Sequence, residues 1–262
     1  MNLTNPIATG NTAEVYDAQA GWVLKLFKEN YSRGAVVYEL RIHQAVQQAG
    51  IPVPKAGDTI IEQDGRFGIL YEKVNGVPMA RILEKQPWKM RAYARKLAQL
   101  HAQMHAEAMQ AEGLPPMRER LGRVIQTIDG MPDDFRTILL QRLEELPDGD
   151  RLCHGDFHVE NVLVDGDGFY IIDWVDAKIG SPMADVARTS IILRGAAATL
   201  PKLLRWLVER LHTVYLQEYM RLAPFDRAEY ERWLPVIATA RLAEGLTEQQ
   251  DWLIEQAKKV VD

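Results

Sequence analysis

The stretch from Arg151 to Trp174 constrains the chain most, because it interrupts long helical sequence with two β-type runs around a tight turn. NVLV (161–164) and FYIID (169–173) flank Asp165-Gly166-Asp167-Gly168, and Asp-Gly between apolar alternation is a strong local signal for a hairpin. Helical periodicity surrounds it, over Trp88 to Glu112, Met117 to Ile128, Asp133 to Leu146, Leu200 to Arg221, Arg227 to Glu244 and Thr247 to Val261. The chain up to Tyr71 reads instead as short strands around one helix, Arg33 to Gln48, which Gly50 and the following IPVP end. The expectation is an α+β fold with two lobes. A small amino-terminal antiparallel sheet with one helix spans 1–74, and a larger, mainly helical lobe spans 75–262. A short hinge near Glu72 to Gly76 would join them, with the ligand in the cleft.

Composition narrows the partners. With 31 basic against 36 acidic residues, the formal charge of -5 offers no footprint for nucleic acid or an anionic membrane, so a small-molecule partner is expected. The single Cys153 rules out an internal disulfide and a multi-cysteine zinc site, which makes the cytoplasm the default location. No leader-like amino terminus and no uninterrupted apolar run of about 18 residues is seen, so neither secretion nor membrane insertion is expected. The sequence leaves the oligomeric state open.

The polar residues around the hairpin carry the chemistry. Asp156 and Asn161 are spaced D-x-x-x-x-N on a loop, and the hairpin ends in Asp173. Phosphoryl transfer needs hard oxygen ligands for a divalent metal on the nucleotide phosphates, and a group that orients the acceptor hydroxyl and relieves it of its proton. An Asp-Asn-Asp set at this spacing can supply both.

HGDFHVEN followed by IIDW resembles the aminoglycoside phosphotransferase and choline kinase superfamily, which has a protein-kinase-like fold. The resemblance implies Asp156 as catalytic base or acceptor-orienting group, Asn161 and Asp173 as Mg2+ ligands, and supporting roles for His154 and Asp185, the latter bracing the catalytic loop. It makes Lys25 in WVLKLF the strand lysine for the phosphates of ATP and Glu39 its partner on the following helix, a pairing that holds the ammonium in place. Gly10 in TGNTAEVY becomes the phosphate-covering turn and the backbone of Glu72 to Val74 the adenine contact, with Ile7, Val15, Ile171 and Ile172 around the base. Val159 and Glu160 stand where family members often have proline and glycine, and Glu160 adds charge beside the metal ligands.

Competing readings are weaker. The D-G-D-G run lacks the next ligand of a calcium loop because Phe169 stands there. His101 and His105 are spaced as H-x-x-x-H on a helix with no third ligand evident, so they read as packing or surface residues, and Cys153 reads as a buried inert thiol. Glu244, Glu248, Asp251 and Glu255 read as a solvated helix face, with an acidic acceptor pocket as the sharper alternative. The resemblance implies an ATP-dependent, Mg-requiring phosphotransferase acting on an aminoglycoside-like antibiotic, amino alcohol or sugar, with GTP still open as donor. The alternative is a catalytically silent nucleotide-binding regulatory protein of the same fold.

Overall fold

The computed structural model describes residues 5–10, 12–106 and 114–260. The strands are β1 Ala8–Thr9, β2 Ala13–Asp17, β3 Trp22–Phe27, β4 Ala56–Gln63, β5 Arg66–Glu72, β6 Val77–Pro78, β7 Arg151–Cys153, β8 Val162–Asp165, β9 Gly168–Ile171 and β10 Lys178–Gly180. The helices are α1 Arg33–Gln48, α2 Met79–Lys85, α3 Met90–Ala106, α4 Met117–Thr127, α5 Asp133–Glu145, α6 Pro182–Thr199, α7 Lys202–Leu222, α8 Arg227–Leu242 and α9 Gln250–Lys258. They form two compact units: the chain up to Pro78 with Asn161–Val175, and Met79–Glu160 with the chain from Asp176 onward. The hairpin of β8 and β9 therefore shares a unit with the amino-terminal sheet, although more than eighty residues separate them in sequence.

In the first unit five antiparallel strands run in the order β1-β2-β3-β5-β4. Alternation along β3 sends Leu24 and Leu26 to one face, where Tyr16 packs on them, while Phe27 meets Val36 and Leu40 of α1 on the other. Lys25 shares the Phe27 face, and so projects toward the helix. Helix α1 occupies the span its periodicity predicts, with Ser32 capping it by accepting the Ala35 amide at 3.2 Å and Gly50, at φ +76°, following its end. Asp64 and Gly65, at φ +53° and +73°, give the β4–β5 hairpin two left-handed residues, as a type I′ turn requires. The predicted β8–β9 hairpin closes with Asp165 opposite Gly168, and Gly166 at φ +58° supplies the positive angle. β6 adds to β8, making a three-stranded sheet.

The second unit is built around α6, whose Ser181 cap accepts the Met183 amide at 3.1 Å with Pro182 in the first turn. Twelve of its 18 residues are buried, because α7 packs on one side and α8 on another. A helix covered all round has no amphipathic stripe, which is why periodicity did not mark it and only the family resemblance pointed to Asp185. Seven-residue α2 was missed for the opposite reason, being too short to show a period. The predicted Trp88–Glu112 helix is α3 from Met90 to Ala106, and 107–112 lie outside the described residues. The predicted Thr247–Val261 helix is a 3₁₀ turn, Thr247–Gln249, running into α9, with Val261 outside the described residues. β7 pairs with β10, which places the loop after β7 beside the start of α6. Among the described residues no helix is long and apolar enough to cross a membrane.

Candidate functional site

In the first unit three sequence-predicted residues converge. Lys25 Nζ lies 2.6 Å from Glu39 Oε1 and 3.7 Å from Asp173 Oδ1. Burial disfavours the ammonium, yet Glu39 and then Asp173 outweigh that cost and the lysine pKa is raised. Lys25 is therefore a fixed cation. Asp173 is 46% exposed and has φ +64°, a left-handed conformation that is uncommon outside glycine, and it sits just past β9. The Asn161 carbonyl accepts the Ile172 amide at 3.0 Å and Trp174 Nε1 donates to the Ile171 carbonyl at 3.0 Å, so both ends of the hairpin are tied. Asn161 itself is buried.

The other first-unit candidates are backbone positions. Gly10 donates to the Ala13 carbonyl at 2.9 Å in the turn before β2, and a Cβ there would make only ordinary contact, so the fold alone does not demand glycine. The Glu72 amide is taken up by the Lys55 carbonyl at 2.7 Å and that of Lys73 by Gly21 at 2.8 Å. Of the expected base contacts at Glu72 to Val74, the amides of Glu72 and Lys73 are therefore already used.

In the second unit the loop after β7 carries His154, Gly155 and Asp156, and α6 holds it from beneath. Asp185 Oδ2 accepts the His154 amide at 2.7 Å and Oδ1 accepts the Gly155 amide at 2.9 Å. One turn on, Arg188 Nε donates to the Gly155 carbonyl at 2.8 Å and Thr189 Oγ1 to the Phe157 carbonyl at 2.8 Å. Positions i, i+3 and i+4 share a helix face, so one stripe of α6 grips three consecutive parts of the loop. Gly155 has φ +78°, and a Cβ there would overlap the Asp176 carbonyl. Glycine is required here.

Asp185 is also the centre of a buried network. Nε2 of His101 and of His105, on α3, lie 3.1 and 3.3 Å from its Oδ2. Their Nδ1 atoms lie 2.6 Å from the hydroxyls of Tyr215 and Tyr219 on α7. With each Nε2–H donating to the carboxylate, each Nδ1 accepts from a tyrosine, and every polar atom is used. Burial, with His105 beside it, pushes the His101 pKa down to about 3, so the ring is neutral. Burial would raise Asp185, but the bonds from His101 and His105 hold it well below the usual carboxylate range. The third group that H-x-x-x-H lacked in sequence is thus present, since ligand atoms of His101, His105 and Asp185 lie within 4.8 Å of one another. Those atoms already satisfy one another by hydrogen bonds, so the trio is a brace. The packing reading of the two histidines holds, and Cys153 is buried, its pKa raised well above that of a free thiol.

Asp156 faces His158, whose Nε2 lies 3.4 Å from Oδ2. Burial would raise its pKa, but His158, Arg188 and His154 together hold it well below the ordinary value. Sequence reasoning missed His158, Arg188 and Thr189. For the last two the signal was available, as the i+3 and i+4 positions from Asp185. Glu244, an open candidate for an acceptor pocket, is instead paired with Arg188 at 2.6 Å and Arg241 at 3.2 Å, so it steadies the arginine that grips the loop.

A sequence model described as the phosphotransferase enzyme family matches residues 4–225. The chain belongs to that family. No curated protein sequence matches this phosphotransferase, but solved structures share its fold. A thermostable mutant of aminoglycoside phosphotransferase APH(4)-Ia aligns with TM-score 0.69 at 17% identity, over 100% of this chain and 94% of the other. Amicoumacin kinase hAmiN, in complex with AMP-PNP, Ca2+ and Ami, aligns with TM-score 0.64 at 18% identity, over 98% and 87%. A choline/ethanolamine kinase family protein from Mesorhizobium loti aligns with TM-score 0.62 at 13% identity, over 100% and 90%. The fold expected from the motif resemblance is therefore the fold observed.

Proposed function

We propose that this phosphotransferase moves the γ-phosphoryl group of ATP to a hydroxyl of a small molecule. The observation that carries the reading is the lysine of β3 held between Glu39 and Asp173, a fixed cation suited to nucleotide phosphates. Two structural neighbours support it: APH(4)-Ia in a ternary complex with ADP and hygromycin B, and the amicoumacin kinase complex with AMP-PNP. Asn161 and Asp173 offer an amide oxygen and a half-exposed carboxylate, hard donors that fit Mg2+. When bound, the ion would offset charge on the phosphate oxygens.

The chain's own groups do the rest. Lys25 steadies the phosphates, while the backbone of Glu72 to Val74 meets the edge of the base. The acceptor oxygen attacks the γ-phosphorus as the bond to the ADP oxygen breaks, and the hydroxyl proton passes to Asp156. A carboxylate with so depressed a pKa is a weak base. Asp156 therefore acts first by orienting the hydroxyl and takes the proton late, as suits a loose transition state. The test is Asp156→Asn, which is expected to lower ATP-dependent phosphorylation by about 100-fold or more while ATP binding, read by calorimetry, stays within about twofold. Wild-type turnover in that variant would overturn the assignment.

A further inference from the structure

Within the second unit a groove of about 280 Å³ opens beside the catalytic loop. Val159 and Glu160, three and four positions beyond Asp156, line it together with Leu83 and Glu84 of α2 and with Leu204 and Leu207 of α7. Its remaining walls are Ala, Leu, Met, Pro and Val side chains. Val159 is fixed there because its carbonyl accepts the Ala80 amide, the start of α2, at 3.1 Å. The two departures in the HGDFHVEN motif therefore sit in one wall of one pocket.

The lining says what would fill it. A polycationic aminoglycoside needs several free carboxylates, and among the described residues the groove has two, of which Glu84 is already paired with Arg81 at 3.1 Å. Glu160 has no ion-pair partner among the described residues. Among the described residues no aromatic ring lines the groove, so they offer no cage of the kind that recognises a quaternary ammonium. Apolar walls of this extent reward burial of hydrocarbon. We infer that this groove seats the acceptor, and that the acceptor is an alcohol with a largely apolar body and a single ammonium group set against Glu160. This rests on the phosphotransfer reading above and adds the substrate class to it. The step is unchanged: the alcohol oxygen takes the γ-phosphoryl of ATP, ADP leaves, and the proton goes to Asp156.

The test uses the intact chain with ATP and magnesium, and a series of 2-amino-1-butanol, 2-amino-1-hexanol and 2-amino-1-octanol beside 1,2-octanediol and a polycationic aminoglycoside. Phosphorylated product is read by mass spectrometry and ADP release by a coupled assay. kcat/KM is expected to rise about fourfold per buried methylene until the groove is filled. Leu204 is 48% exposed, so Leu204→Glu leaves folding intact, checked by circular dichroism, and is expected to flatten the series. Glu160→Gln is expected to reduce the preference for the amino alcohol over the diol about tenfold. A flat series, or an aminoglycoside turned over better than every member, would overturn the groove assignment while leaving phosphotransfer standing. If no compound elicits Asp156-dependent ADP release, the phosphotransfer reading fails on its own. Calorimetric binding of the same series to Asp156→Asn then decides the groove, with chain-length-independent binding counting against it.

Discussion

Replacing Asp185 by asparagine probes how far the loop that carries the proposed base Asp156 depends on one buried carboxylate. Asp185 is fully buried and accepts from the amides of His154 and Gly155 and from Nε2 of His101 and His105. Asparagine keeps one acceptor oxygen. Its better orientation turns the new NH2 toward Gly155 and leaves the oxygen to His154 and the histidines, so one donor faces another donor. Losing a charge-assisted bond costs about 1.5–3 kcal/mol and stranding a buried amide about 1–3 kcal/mol. The three surviving bonds weaken as the charge goes, while relief of carboxylate desolvation offsets part of the loss. The expected net destabilisation is about 2–4 kcal/mol, read from urea unfolding at neutral pH. Because the stranded amide belongs to the residue before Asp156, kcat is expected to fall about 10- to 100-fold at temperatures where the variant is folded, with KM for ATP within about twofold. The Lys25 cluster lies in the other unit and is untouched. A variant as stable as wild type with unchanged kcat would refute the brace, and an equal rise in KM for ATP would show that the effect is general loosening.

Other expectations follow from the same geometry. Gly155→Ala places a side chain at φ +78° against the Asp176 carbonyl, and is expected to cost about 2–4 kcal/mol in urea unfolding and to lower kcat; wild-type stability would contradict the strained turn. Asp173→Gly relieves a left-handed aspartate at φ +64°, so stability is expected to hold or rise while ATP-dependent turnover is lost, and retained turnover would remove Asp173 from the site. His101 is neutral in the fold with its pKa pushed down to about 3 against 6.5 unfolded. The unfolded chain then binds the extra proton, and stability present above about pH 6.5 is lost as pH falls toward 3. At pH 5 the loss is about 2 kcal/mol from this group, and His212, pushed down to about 4, adds in the same direction. Unfolding followed from pH 7.5 to 5 should show the loss, reduced by about 2 kcal/mol in His101→Gln; an unchanged slope in that variant would discount the histidine.

Local signals read well. The α1 boundaries were written in Arg33 to Gln48 with its following glycine, and the hairpin in Asp165 to Gly168, because caps and turns depend on neighbours in sequence. Lys25 and Glu39, fourteen residues apart, were legible only jointly, through a known motif order together with the alternation of β3. Helix α6 was half visible, since a helix buried on all sides has no polar face to mark its period.

The sequence by itself determined most of the element types, the hairpin turn and the aspartate-asparagine spacing, all of which are set within a few residues of chain. Tertiary structure decided the rest. His101 meets Tyr215 across 114 positions and Asp185 across 84, and no periodicity relates residues so far apart. Only packing α3, α6 and α7 together turns the two histidines of the H-x-x-x-H pair and two tyrosines into the support of the loop that carries Asp156. The same packing makes one groove from Val159, Glu160 and the leucines of α7, because burial couples side chains by where elements meet and not by where they stand in the chain.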